Sequence, residues 1–79
     1  MTTRKIIVFT QPDSLPCEAV KLFLKDRNVK FEVRCVTDDE DALHELAEKY
    51  KSRSIPTVVI DDEVVIGFDP ERLDELLEQ

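Results

Sequence analysis

The stretch Thr10-Gln11-Pro12-Asp13-Ser14-Leu15-Pro16-Cys17 decides how the rest of the chain is read. It follows an apolar run, Ile6-Ile7-Val8-Phe9, and opens a segment whose apolar residues recur at helical spacing. The run from Lys5 to Phe9 is continuous rather than alternating, as in a strand covered on both faces. The octapeptide is therefore a strand-to-helix loop. Open α/β sheets place their chemistry in such loops, at the carboxyl end of a parallel strand. Ser14 suits an N-cap, and Pro16 suits the first helical turn, where a missing N–H costs nothing. Cys17, Val20, Phe23 and Leu24 then mark the inward stripe of a helix running from Leu15 to about Asn28.

Downstream, Val29 to Val36 alternates apolar and charged residues through Arg34, which predicts a half-covered strand with Phe31, Val33 and Cys35 facing inward. Cys35 reads as a small buried apolar side chain. Thr37-Asp38-Asp39-Glu40 opens a second helix, with Thr37 and Glu40 at capping-box spacing and Leu43, Leu46, Ala47 and Tyr50 on one face. A polar, basic loop, Lys51 to Ile55, ends at Pro56. Thr57–Ile60 and Val64–Ile66 are the arms of a hairpin about Asp61-Asp62-Glu63, a turn without the glycine that tight hairpins favour. Gly67 is the only glycine in the chain, so it is expected where the backbone resists other residues. Asp69-Pro70-Glu71 caps and starts a last helix buried by Leu73, Leu76 and Leu77. The order is β-α-β-α-β-β-α: an α/β domain spanning residues 1–79, with one four-stranded mixed sheet and helices on both faces.

Composition narrows the partners. A net charge of −7 on 79 residues argues against nucleic acid, whose phosphates need a basic face. No apolar run approaches the roughly 18 residues of a membrane-spanning helix, and Met1-Thr2-Thr3-Arg4-Lys5 lacks the apolar core of a signal peptide. Two cysteines are too few for a disulfide scaffold, and the expected address is the cytoplasm. The single histidine, His44, has no second ligand or base at useful spacing and reads as a solvated surface residue; no metal is expected. The chain is expected to act as a monomer.

The element order, with a proline-containing loop into the first helix and a loop proline before the third strand, resembles the glutaredoxin/thioredoxin fold. The resemblance covers essentially the whole chain and is carried by Thr10–Cys17, Ser54-Ile55-Pro56-Thr57 and Ile66-Gly67-Phe68-Asp69-Pro70. These segments are similar to those of small glutaredoxin-like redoxins, including the electron donors to ribonucleotide reductase. The family's first loop carries Cys-x-x-Cys: the first thiol attacks a disulfide and the second resolves the mixed disulfide. The helix N-terminus in such proteins favours the thiolate. The resemblance further implies a cis proline at Pro56 that aligns a bound backbone, with Gln11, Pro12, Ile55, Pro56, Gly67 and Phe68 as substrate-binding positions.

One residue departs from the pattern. The attacking cysteine falls on Ser14, and Cys17 stands at the resolving position. A serine hydroxyl forms no disulfide, and without an adjacent base it is no nucleophile at neutral pH. Three readings follow: a Cys→Ser replacement in an otherwise working thiol–disulfide oxidoreductase, a natural variant that uses Cys17 alone or with Cys35, or a non-catalytic module that binds extended peptide at the Pro56 loop. Glutathione-using relatives carry a lysine where Gln11 stands, and loss of a charge-assisted contact of that kind is worth roughly 1.5–3 kcal/mol. The expected substrate is therefore a protein disulfide, with no cofactor and with glutathione disfavoured. By the same resemblance ribonucleotide reductase is a candidate target, and thioredoxin reductase a candidate reductant.

Overall fold

The computed structural model describes residues 5–78, so the reading of Met1–Arg4 lies outside the described residues. Strand β1 (Ile6–Thr10) leads into helix α1 (Leu15–Asp26) and strand β2 (Glu32–Cys35). Helix α2 (Glu40–His44) continues as a wider, π-helical turn over Glu45–Lys49. Strands β3 (Thr57–Ile60) and β4 (Glu63–Ile66) form the hairpin, and α3 (Pro70–Leu77) closes the chain. The expected order and sheet are found. The strands lie in the order β2-β1-β3-β4, with β1 parallel to β2 and antiparallel to β3, and β3 antiparallel to β4.

Because β1 and β3 are interior strands, both their faces are covered and all nine of their residues are buried. Ile6 and Val8 join Val20 and Leu24 of α1, Val58 and Ile60 of β3, Val65 of β4, and Leu73 and Leu76 of α3 in one core. Ile7, Phe9 and Val59 face the other way and pack on Ala42 and Leu46. Each fully buried large side chain, such as Phe9, Leu24, Leu46 or Leu73, contributes on the order of 2 kcal/mol by leaving water.

Three expectations are corrected. The second helix is capped by Asp39, whose carboxylate accepts from the N–H groups of Asp41 and Ala42, and not by Thr37. Residues 36–38 form a turn instead, held by the Asp39 N–H bonded to the Cys35 carbonyl. The inward stripe of that helix is Ala42, Leu46 and Tyr50, while Leu43 is 47% exposed. A stripe stepping by four residues drifts off line in a regular α-helix, and the wider turn over Glu45–Lys49 keeps it against the sheet. Val33 is 45% exposed because β2 is an edge strand of the sheet. The hairpin turn without glycine is made by Asp61 in the left-handed conformation (φ 55), which a short polar side chain tolerates. Asp61 is also tied to Lys5, whose N–H meets its carboxylate and whose carbonyl takes its N–H.

Candidate active site

The strand pairing fixes where the three marked segments meet. Phe9 opposes Thr57, and Thr57 opposes Ile66. The segments following β1, preceding β3 and following β4 therefore leave the sheet at the same end. The Gly67 N–H donates to the Pro56 carbonyl at 2.8 Å, which joins two of them directly. Gly67 has φ 77, the backbone conformation expected of the only glycine, and the Ile55–Pro56 bond is cis. Cys35 ends β2 beside Thr10 at this same end, half-buried and with a free thiol.

In the first loop Gln11, Pro12 and Asp13 are exposed, and Asp13 is held at φ 56. That kink hands an extended Ser14 (φ −110, ψ 116) to the helix as its N-cap. The Ser14 Oγ accepts from the Cys17 N–H at 3.4 Å, and its carbonyl accepts from the Glu18 N–H at 3.1 Å. Cys17 is 1% exposed with a free thiol, whereas Ser14 is half-buried. The reactive position open to a partner is thus a hydroxyl, and the sulfur lies beneath it. Among the described residues the only partner of that hydroxyl is a backbone N–H, and no base accepts its proton. The arrangement caps a helix and presents a polar edge; it does not activate an oxygen nucleophile.

Around this edge the side chains are apolar. Leu15 is 84% exposed, Ile55 is half-buried above a buried Pro56, and Phe68 is 41% exposed. Phe68 rests edge-on against Phe23 at 5.8 Å between ring centres, and the Arg27 guanidinium lies over the other ring at 3.7 Å from its centre. Arg27 in turn grips Asp74 through two hydrogen bonds of 2.6 and 3.0 Å. The hydrogen bond from Arg27 holds the Asp74 carboxyl below the usual aspartate value, and the same bond raises the guanidinium. A chain of contacts thereby runs from α3 through α1 to the rim. Phe23 stands on the inward stripe expected from the sequence, but Arg27 and Asp74 carry no sequence signal that sets them apart from other polar helix residues.

On the opposite face of the sheet Arg34 meets Glu45 at 2.6 Å and Asp39 at 3.5 Å. Partial burial pulls its guanidinium down, but the two carboxylates outweigh that and raise it. This cluster fastens β2 to the second helix. Among the described residues no three His, Cys, Asp or Glu side chains gather as a metal site requires. No helix among them is long and apolar enough to cross a membrane.

Comparison with known proteins agrees with this frame. The family model described as Glutaredoxin matches residues 6–65. The Gene 56 protein of Mycobacterium phage D29 is 34% identical over 74 residues, covering 92% of this chain and 82% of that protein. The crystal structure of the thioredoxin-like protein BC3987 superposes with a TM-score of 0.87 at 52% identity, covering 90% of this chain and 97% of that one. The glutaredoxin-like NrdH-redoxin of Escherichia coli, described as having a thioredoxin-like activity profile, gives a TM-score of 0.81 at 28% identity over 91% of this chain and 93% of its own. With the mixed sheet, the loop proline and the capped cysteine helix in place, this chain belongs to the glutaredoxin family, a family of thioredoxin-fold redox proteins.

Proposed function

We propose that the chain is a redoxin framework built to engage protein disulfides, and that Ser14 at the attacking position leaves it without dithiol exchange. The observation that carries this is the Ser14 cap: its hydroxyl occupies the half-buried lip of α1, three residues before a buried free thiol at Cys17. Two electrons reach a substrate disulfide only if a first thiol opens it and a second thiol releases the mixed disulfide. Here one of the two sulfurs is an oxygen. Burial of Cys17 weighs against its acting alone, since a partner disulfide must reach the sulfur in line with its own S–S bond. Gln11, in place of a cation, favours protein disulfides over glutathione. The resemblance of Gly67-Phe68-Asp69-Pro70 to the ribonucleotide-reductase donors supports ribonucleotide reductase as target and thioredoxin reductase as reductant, and we propose a cytoplasmic monomer without a cofactor.

The test is insulin reduction with dithiothreitol as electron source. The chain as it stands is expected to give no turnover above reagent background. Ser14→Cys is expected to gain turnover and, on mild oxidation, to close a disulfide to Cys17. Equal turnover by both forms, or two free thiols in the oxidised variant, would refute the proposal. A second reading, a docking module without chemistry, is favoured by the exposed Leu15 and Phe68 beside the site. It predicts that the serine form binds oxidised insulin B chain as tightly as the reduced Ser14→Cys form does before exchange.

A further inference from the structure

The loop over residues 50–56 lacks regular structure, yet it must hold one shape to present Ile55 and Pro56. Its support is a pair of buried hydroxyls. Ser52 and Thr57 are both buried, with Ser52 Oγ and Thr57 Oγ1 2.8 Å apart. The Thr57 hydroxyl donates to the Ser54 carbonyl at 2.6 Å, and the Ser54 N–H donates to Ser52 Oγ at 3.3 Å. A hydroxyl has a single proton, and that of Thr57 is committed to Ser54. Ser52 must therefore donate to Thr57. The result is a closed ring in one direction: Ser54 N–H to Ser52, Ser52 to Thr57, Thr57 to Ser54 C=O. Bonds in such a ring polarise one another. Ser52 is itself fixed by its N–H, bonded to the Leu46 carbonyl at 3.0 Å as the wide helical turn ends.

The ring consumes both polar groups of the Ser54 backbone. The next residue, Ile55, has no hydrogen-bond partner for its N–H or C=O among the described residues, although it is half-buried. We infer that Ser52 and Thr57 are positioning residues of the docking edge, whose hydroxyl ring ties down the backbone of the exposed Ser54 and so fixes how the chain enters Ile55, the position the family resemblance already gives as substrate-binding. This rests on the docking role proposed above.

Two measurements test it. In the chain as it stands, Thr57→Val keeps the shape and removes the ring, while Thr57→Ser keeps the hydroxyl. Amide hydrogen exchange at Ser54 should quicken roughly tenfold in Thr57→Val relative to the amides of β1 and β3, and return toward the parent rate in Thr57→Ser. Exchange at Ser54 that is unchanged, or that rises only in step with the strand amides, overturns the ring. In the Ser14→Cys form, adding Thr57→Val or Ser52→Ala should raise KM for insulin about tenfold with kcat kept, since only docking is loosened. A fall in kcat at constant KM overturns the positioning role. The exchange experiment needs no activity, so failure of Ser14→Cys to reduce insulin would count against the proposed function and leave the ring standing.

Discussion

At the scale of single residues, the site is shaped by backbone conformations as much as by side chains. Asp13 and Gly67 both lie in the left-handed region, one on each side of the edge. Gly67 is informative because a Cβ added there meets nothing within 4 Å. The space is open, so any cost of a side chain comes from φ alone. Gly67→Ala is expected to destabilise by about 1 kcal/mol, with Gly67→Asn costing less because its amide tolerates that region. Urea unfolding midpoints measure both; a neutral alanine variant would mean the turn relaxes to a different φ. Asp13 shows the other solution, a polar residue accepting the strained conformation so that Ser14 arrives extended at the helix start.

At the scale of elements, caps are where reading and structure diverge most usefully. For α1 and α3 the capping residues, Ser14 and Asp69, are the ones the sequence marks, since each stands alone before a proline-containing first turn. For α2 two starts compete, and the one with paired N–H acceptors wins. Asp39 also meets Arg34 at 3.5 Å, which favours the helix start two residues later than Thr37. Asp39→Ala should therefore cost about 1 kcal/mol or slightly more, whereas Thr37→Ala should be close to neutral. Thermal unfolding of the two variants checks this, and the reverse order would restore the capping box at Thr37. The Leu43 misplacement has the same root. Helical periodicity assumes a regular turn, and nothing in residues 42–50 announces that the helix widens after His44. The hydroxyls of Ser52, Ser54 and Thr57 were visible as letters, but their ring exists only once the loop brings residue 57 back over residue 52.

At the scale of the molecule, α1 and α3 are joined across their common face by Arg27 and Asp74. Both side chains are partly exposed, so the pair is screened and modest. Its pH dependence still has a definite sign. The Asp74 carboxyl lies below its ordinary 3.8 because Arg27 hydrogen-bonds the charged form. The pair therefore adds stability that is fully present above that ordinary value and is lost as pH falls through the lowered one. Asp74→Asn should be less stable than the parent at neutral pH, and the gap should close in acid below 3.8. A gap that persists unchanged into acid would show that the carboxylate's charge is not what matters. The element order and the mixed sheet were legible because burial on both faces leaves a continuous apolar run, and because the loop prolines and the glycine sit where the chain turns; the strand order and the meeting of the three segments come from the strand pairing. The link from Asp74 through Arg27 was not legible, since periodicity treats both charged side chains as solvent-facing, although Phe23, on which Arg27 and Phe68 meet, reads as inward.

That sheet order also bears on how the protein is made. Strand β1, which precedes the other described strands, is an interior strand, and its antiparallel neighbour β3 begins only at Thr57. During synthesis Ile6–Phe9 must wait with one edge unpaired until most of the chain has emerged, a long-range closure of the slow kind. The octapeptide at the candidate site is thus translated before most of the residues it meets and is among the last to acquire its neighbours. No nascent or truncated chain ending before β4 holds the three segments together, so the candidate site exists only in a finished fold.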